Sequence, residues 1–332
     1  MQDTETKLKE IVKDLLAGEK VDLVIGYEAG SMPLRSRPCF VRSADAAERL
    51  VWNSYCTNNL AVYLPRLFER PADPRAEFAP PRVGIVAKGC DARSIVGLLK
   101  EHQTPKENVV VIGMPCQGML DPQRIEAAVG ACAVDCTEEA GGTLEVTTSS
   151  GEKKTLNREE AIAQACLECA HPCAEGADIL IEGTPKAAAD PKKWYERVKE
   201  FEAKSPEERW QYFADEISKC IRCYACRQAC PNCYCKVCFA DQSKPQWVGP
   251  GDDLSDVMLY HIGRIVHQAG RCVECDACVR ACPMNIDLRL FTQKLAKDVE
   301  ELFGYVTGLS ADEPPPLCTF QEDDSESFIT EP

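Results

Sequence analysis

The stretch Cys220-Ile-Arg-Cys223-Tyr-Ala-Cys226-Arg-Gln-Ala-Cys230-Pro231 decides the fold of the C-terminal half, and its pattern recurs as Cys272-Val-Glu-Cys275-Asp-Ala-Cys278-Val-Arg-Ala-Cys282-Pro283. Both copies have the C-x2-C-x2-C-x3-C-P spacing of bacterial ferredoxins. In that motif three closely spaced thiolates bind one [4Fe-4S] cube, and the fourth binds the other cube of a pair. The sequence therefore predicts two adjacent [4Fe-4S] clusters, named here the first-run cluster and the second-run cluster.

Each predicted cluster takes three ligands from one run and its fourth from the other. The first-run cluster is predicted at Cys220, Cys223, Cys226 and Cys282, and the second-run cluster at Cys272, Cys275, Cys278 and Cys230. Two adjacent one-electron centres favour electron transfer. Zinc is the alternative, because C-x2-C is also a zinc spacing. Iron is favoured because a zinc site uses four ligands, whereas this pattern offers four ligands twice, each set closed by proline.

Composition limits the compartment and the partners. The chain has 332 residues, of which 45% are hydrophobic, and this is enough for the cores of about two domains. Its first residues are polar without an export signal, and no apolar run is long enough to span a membrane. The 21 cysteines are therefore expected to be reduced in the cytoplasm and available to iron. A net charge of -15 disfavours nucleic acid and anionic membranes as partners.

The N-terminal half has the pattern of an α/β domain. Its clearest unit is a strand at 83–87, a helix at about 92–101 and a strand at 109–113, which favours a parallel sheet. Upstream, the sequence predicts a helix over 5–17, a strand over 21–26, an irregular loop over 31–38 and a helical segment over 44–68. Cys90 and Cys116 follow the two strands of the unit, at the edge of the sheet where α/β proteins bind ligands.

A third group of cysteines lies further along the chain. The sequence predicts a β-hairpin over 141–156, a short helix from Arg158 and a strand over 177–181. Between the helix and the last strand is the C-x2-C-x3-C run formed by Cys166, Cys169 and Cys173. This run is a metal-binding signal that is one or two ligands short of a closed site. The missing ligands could come from Cys90 and Cys116, or from the nearer Cys132 and Cys136.

Three more thiols directly follow the first ferredoxin run. Cys233, Cys235 and Cys238 lie within the sequence Asn-Cys-Tyr-Cys-Lys-Val-Cys. Three thiols this close in a reducing compartment indicate one of three arrangements. They could hold a further iron-sulfur centre with a distant fourth ligand, hold a zinc ion, or pack against the first-run cluster.

The C-terminal half is predicted to be a helical ferredoxin domain. Ser205 and Glu208 form a capping box that begins the helix leading to Cys220. The insert between the two runs has one apolar helical face from Leu254 to Ala269, on which His261 and His267 are expected to pack or cap rather than bind metal. Another helix follows the second run, from about 288 to 302. The predicted divisions are an α/β domain at 1–185, a helical ferredoxin domain at 194–309 and an acidic, proline-rich tail at 310–332.

The motifs of the N-terminal half also resemble those of a known family. Lys88-Gly-Cys90-Asp91, Gly113-Met-Pro-Cys116 and Cys166-Leu-Glu-Cys169, followed by Ala177-Asp178-Ile179, resemble the beta subunits of F-420-reducing hydrogenases and dehydrogenases, including formate dehydrogenases. The resemblance implies an α/β domain with an iron-sulfur cluster, often with FAD, and in some members with F-420 reduction. It implies a third [4Fe-4S] site at Cys90, Cys116, Cys166 and Cys169. Residues 215–305 resemble the helical ferredoxin subunits of heterodisulfide reductases.

Two functions follow from these observations. The first is an electron-transfer subunit that relays single electrons inside a multisubunit cytoplasmic oxidoreductase. The resemblance implies a formate dehydrogenase or hydrogenase catalytic subunit and a heterodisulfide-reductase-like flavoprotein as partners. The alternative is an FAD enzyme that exchanges hydride with F-420 or a nicotinamide and passes electrons to its clusters. No G-x-G-x-x-G follows a strand, so the common dinucleotide fingerprint is missing, although family members bind FAD without it.

Overall fold

The fold is taken from a computed structural model that describes residues 2–73, 75–138, 142–190 and 194–316. The N-terminal part contains mixed sheets and helices, and the C-terminal part is mainly helical. This confirms the predicted fold class of an α/β domain followed by a helical ferredoxin domain. Residues 317–332 of the predicted tail lie outside the described residues.

A five-stranded sheet organises the N-terminal part. Its strands are β1 (Leu23–Ala29), β2 (Ser36–Val41), β3 (Val83–Ala87), β4 (Val109–Gly113) and β8 (Ile179–Leu180), in the spatial order β2-β1-β3-β4-β8. β1, β3, β4 and β8 run parallel, as predicted, and β2 pairs antiparallel at the edge. Every residue of β3 is buried, which explains its continuous apolar sequence. The helices α1 (Gln2–Ala17) and α3 (Gly89–Lys100) pack apolar faces against this sheet.

A smaller antiparallel sheet lies beside the first. It contains β5 (Ala133–Glu138), β6 (Thr143–Thr148) and β7 (Lys153–Asn157), and it packs on α4 (Pro122–Val129). The predicted hairpin is confirmed for β6 and β7, whereas β5 and α4 were not predicted. Residue 141, at the start of the predicted hairpin, lies outside the described residues.

Two predictions for the region after β1 are wrong. The helix predicted over 44–68 is replaced by 3-10 turns at Asp45–Arg49 and Leu60–Tyr63 and one α-helical turn, α2 (Leu64–Leu67). Asn53 Oδ1 accepts from the Tyr55 amide at 2.9 Å, and such local side-chain bonds compete with a helix. The irregular loop predicted over 31–38 ends early, because β2 begins at Ser36. Pro38 is tolerated within β2 because this strand lies at the edge of the sheet.

The C-terminal part is built from helices around the cysteine runs. Their bounds are α7 (Glu196–Glu202), α8 (Pro206–Ser218), α9 (Ala225–Gln228), α10 (Leu254–Val266), α11 (Ala277–Arg280) and α12 (Leu288–Phe303); the short α5 (Arg158–Ala161) and α6 (Gln164–Leu167) precede them. The capping box of Ser205 and Glu208 on α8 is confirmed. Phe213, Tyr260 and Phe291 fill a core that joins α8, α10 and α12. The insert helix ends at Val266, a few residues before its predicted end.

Polar contacts join the two parts of the chain. The Arg93 guanidinium donates to the carbonyl of Thr307 at 2.9 Å, and Arg271 pairs with Glu101 at 2.6 Å. The separate domain boundaries predicted at 185 and 194 stay a prediction. Among the described residues, no helix is both long enough and apolar enough to cross a membrane.

Candidate iron-sulfur sites

The two ferredoxin runs share one backbone conformation. Arg222 and Tyr224 of the first run have φ values of 51° and 59°, and their counterparts Glu274 and Asp276 have 58° and 63°. Non-glycine residues seldom adopt this left-handed region, so the repeat of four such values marks one structural motif used twice. After these turns each run enters a short helix, α9 or α11, that carries its third cysteine.

Backbone amides of both runs point at sulfur. The Arg222 amide donates to Cys220 Sγ at 3.3 Å, and the Glu274 amide donates to Cys272 Sγ at 3.4 Å. Hydrogen bonds to cysteine sulfur stabilise thiolate ligands and set cluster potentials. The runs therefore have the donor arrangement that an anionic iron-sulfur cluster needs.

The thiols near Cys220 are those of the predicted first-run cluster. Burial raises the pKa of Cys220, and the thiols of Cys226, Cys282 and Cys223 raise it further because they lie close enough to repel a thiolate. Cys282 belongs to the second run. The fold thus brings the fourth cysteine of the second run near the first three of the first run, and the exchange of ligands stays a prediction.

The reciprocal arrangement surrounds the second run. Burial raises the pKa of Cys272 to about 12, and the thiols that add to this rise include those of Cys230 and Cys275. Burial likewise raises the pKa of Cys278, with Cys230 again a contributor. Cys230 of the first run therefore lies among the second-run thiols. The residues present fit two four-iron cubes that share ligands across the runs, and the ligand sets stay a prediction.

A third group of thiols lies at the carboxyl ends of β3 and β4. Cys90, Cys116, Cys166 and Cys169 line one cavity, which we call the N-terminal thiol site. The amides of Gly118 and Met119 donate to Cys116 Sγ and Cys166 Sγ, each at 3.4 Å. Burial and the neighbouring Cys166 thiol raise the pKa of Cys116 to about 12. The four residues named by the family resemblance are thus brought together, with amide donors on their sulfurs.

A buried ion pair fixes the helix that presents Cys90. Lys88 and Asp91 are almost fully buried, and Lys88 Nζ lies 2.8 Å from Asp91 Oδ2. The lysine also donates to the Asn58 carbonyl at 2.8 Å and lies over the Tyr27 ring at 4.7 Å. Asp91 Oδ2 accepts from the Lys88 amide as well, which caps α3. The cysteine between these two charged residues is therefore held in a fixed position.

The N-terminal thiol site faces the second run. Cys275 lines the same cavity as Cys90; burial raises the pKa of the Cys90 thiol, and the Cys275 thiol adds to this rise. Arg280 lines the same cavity and donates to the carbonyls of Thr57 and Cys275, both at 2.9 Å. Arg289 pairs with Glu168, beside Cys169, at 2.6 Å. These arginines close the cavity and join it to the ferredoxin part.

The remaining candidate thiols are arranged differently. Cys233, Cys235 and Cys238 line a cleft of about 500 Å³ together with Cys230. A hydrogen bond between the Cys230 and Cys233 thiols raises the pKa of Cys230 and lowers that of Cys233. Cys235 is exposed. These contacts favour packing of Cys233 against the ferredoxin pair, and a further centre at the three thiols stays a prediction.

The positions of Cys132 and Cys136 do not support these residues as ligands of the N-terminal thiol site. Cys132 is exposed next to β5, and Cys136 lies on that strand of the smaller sheet, away from the residues that line the cavity. Cys173 is also exposed. Within the described ranges, no three His, Cys, Asp or Glu side chains gather tightly enough to hold a single metal ion.

The histidines of the insert helix occupy two kinds of position. His267 is the C-cap residue of α10, as expected. His261 is buried, also as expected, and its Nε2 lies 3.2 Å from Cys220 Sγ. Burial lowers the pKa of His261 to about 4, so the ring is neutral at physiological pH. Its contact with a candidate ligand was not predicted.

Sequence reasoning also missed the buried arginines. Arg264 is 3% exposed and Arg289 is 5% exposed in its side chain, yet both lie beside candidate ligands or their loops. Arg264 was visible in principle, because it is a charged residue on the otherwise apolar face of the insert helix. The burial of Arg289 was harder to predict, because this residue lies in the first turn of α12 and the sequence does not show which way that helix faces.

Comparison with known proteins supports the family resemblance. The family defined by the C-terminal region of the coenzyme F420 hydrogenase/dehydrogenase beta subunit matches residues 81–195. This segment contains Cys90, Cys116, Cys166 and Cys169. Over 92% of its length the chain is 22% identical to the F420-dependent formate dehydrogenase subunit beta of Methanocaldococcus jannaschii, and the match spans 92% of that protein.

A second relative gives the same result. The F420-dependent formate dehydrogenase 1 subunit beta of Methanococcus maripaludis is 23% identical, over 92% of this chain and 91% of that protein. A chain of the F420-reducing [NiFe] hydrogenase complex from Methanosarcina barkeri is similar with a TM-score of 0.38 and 13% identity, over 66% of this chain and 86% of that chain. The predicted resemblance to the beta-subunit family is confirmed. The likeness of residues 215–305 to heterodisulfide reductase subunits stays a prediction.

Proposed function

We propose that this chain is the iron-sulfur electron-transfer subunit of a multisubunit cytoplasmic oxidoreductase and relays single electrons between partner subunits. The observation that carries the proposal is the shared cavity wall of Cys90 and Cys275, which puts the N-terminal thiol site directly beside the second run. The similarity to beta subunits of F420-dependent formate dehydrogenases supports the same role.

The proposed path has three centres. A [4Fe-4S] cluster would be held by Cys90, Cys116, Cys166 and Cys169, and the two ferredoxin clusters by the sets given above. When bound, such clusters supply one-electron redox chemistry. The exchange of Cys230 and Cys282 would keep the two ferredoxin clusters close together. Arg280 joins the second run to the N-terminal part of the chain, because it donates to the carbonyls of Cys275 and Thr57.

The outer end of the path is the first run. Cys223 is exposed, and the neighbouring Ile221 is 58% exposed. Exposed apolar side chains next to a redox centre suit a surface that a partner covers. The partners proposed from the family resemblance are a formate dehydrogenase or hydrogenase catalytic subunit and a flavoprotein of the heterodisulfide reductase type.

Purification of the untagged complex without air tests the proposal. We expect iron and acid-labile sulfide in equal amounts, no activity of the isolated chain with F-420 or NAD, and redox subunits in the native mass. A lone monomer that carries stoichiometric flavin, and reduces F-420 or NAD with reduced methyl viologen, would instead support the FAD enzyme. Flavin released by denaturation separates the two outcomes.

A further inference from the structure

The insert helix α10 lays a row of polar groups along the sulfurs of the first run. Tyr260 Oη lies 3.7 Å from Cys226 Sγ, and His261 Nε2 lies 3.2 Å from Cys220 Sγ. One turn further on, Arg264 donates to the Cys226 carbonyl at 3.1 Å. These three residues face the runs on a helix whose neighbouring positions Leu259 and Ile262 are exposed. Binding of clusters by the cysteines does not itself require these three polar side chains.

The direction of the hydrogen bonds follows from the chemistry of the ligands. A cysteine sulfur bound to iron is a thiolate and can only accept. The Tyr260 hydroxyl and the His261 ring must therefore donate to it. The other ring nitrogen, Nδ1, has no partner in the part of the chain that the structure describes. Placing the ring proton on Nε2, where it can donate to the sulfur, therefore breaks no other hydrogen bond.

Arg264 adds a charge to these neutral donors. Its Nε and Nη1 have no hydrogen-bond partner among the described residues, although the side chain is 3% exposed. Burial has the largest influence on the pKa of Arg264 and lowers it, whereas nearby thiols of both runs raise it, those of Cys278, Cys230, Cys233 and Cys226. A buried cation without a counter-charge is costly, and anionic clusters on either side would supply that charge.

From these contacts we infer that α10 is the potential-setting element of the pair and makes the first-run cluster the easier of the two to reduce. The inference rests on the proposed function. Two hydrogen bonds, from Tyr260 and His261, favour the reduced, more negative state of the first-run cluster, and α10 donates none to the second-run sulfurs among the described contacts. The charge of Arg264 lies near thiols of both runs and therefore does not separate the two clusters. One electron then leaves the reduced second-run cluster and enters the oxidised first-run cluster, with no bond made or broken.

This gives the relay a direction. Electrons that enter at the N-terminal thiol site pass the second-run cluster and collect at the first-run cluster, next to the exposed Cys223. The helix that separates the two runs in sequence thus has a task that an ordinary connection lacks.

Redox titration followed by EPR tests the inference on the complex purified without air. Tyr260→Phe removes one hydroxyl and keeps the ring that packs on Tyr224 at 5.1 Å. We expect it to shift the electron distribution between the two clusters about tenfold toward the second run, which is 59 mV for a one-electron couple. His261→Leu should act in the same direction, and Arg264→Gln should lower both potentials.

Two control substitutions on the same helix separate tuning from general damage. Ile262→Ala changes an exposed position, and His267→Ala removes the exposed capping histidine; neither should move a potential. Unchanged potentials in both Tyr260→Phe and His261→Leu, with full iron content, would overturn the inference and leave the relay intact. A wild-type chain without acid-labile sulfide would overturn the relay itself.

Discussion

The ferredoxin runs and the N-terminal thiol site assemble their cysteines in opposite ways. Each run places three thiols by local turns, through left-handed residues such as Arg222 and Glu274, and is predicted to take its fourth ligand from the other run. The N-terminal site instead takes Cys90 from the first turn of α3, Cys116 from the loop after β4, and its last pair from the end of α6. Loss of a shared cysteine from one run should therefore affect the cluster of the other run, whereas loss of a cysteine from the N-terminal thiol site should affect that site alone.

The largest effect is expected from Cys230→Ser. Because this thiol lies among the second-run cysteines, its loss should remove the second-run cluster although the residue belongs to the first run. Iron content should fall by about four atoms per chain. EPR of the reduced protein identifies the missing centre. Loss of the first-run signal alone would show that the ligands are not exchanged.

Cys169→Ser tests the distributed site. We expect loss of the N-terminal cluster with both ferredoxin signals retained, because its four thiols come from elements separate from the runs. The matched control is Cys132→Ser, which removes an exposed thiol beside β5 and should leave iron content unchanged. Equal loss in both variants would contradict the assigned ligand set.

A smaller effect is expected from Gly89→Ala. A methyl group there would overlap the backbone oxygens of His171 and Cys173, so the loop after Cys169 must move. We expect a loss of about 1–3 kcal/mol in the free energy of unfolding and a weakened N-terminal cluster signal. Gly97→Ala is the control on the same helix, since its nearest neighbour is Asn232 Oδ1 at 3.9 Å. Alanine there should be neutral or stabilising. Equal destabilisation by the two changes would show that the loop contact does not matter.

The same comparison explains what the sequence could predict. Spacing alone indicated that the two runs form one motif used twice, because their backbone geometry is local and repeated; their ligand sets stay a prediction. The parallel strands also placed Cys90 and Cys116 at one edge of the sheet. The residues around 44–68 could not be predicted, because asparagine side chains there bond to nearby backbone and only the folded context favours this over a helix.

The buried charges were beyond sequence reasoning for a different reason. Arg280 and Arg289 form bonds across the contact between the two parts of the chain. No local sequence pattern indicates which groups lie opposite them. His261 lies on the predicted face of α10, and Arg264 lies beside it on the same helix. Their role depends on the sulfurs opposite, and these become neighbours only through the pairing of the two runs.

The central claim is that this chain holds three clusters in a row. Iron, acid-labile sulfide and zinc measured together on the whole chain purified without air test it most directly. The account predicts at least about twelve iron and twelve sulfide per chain, with EPR signals from three [4Fe-4S] centres after reduction. Stoichiometric zinc without acid-labile sulfide would contradict it.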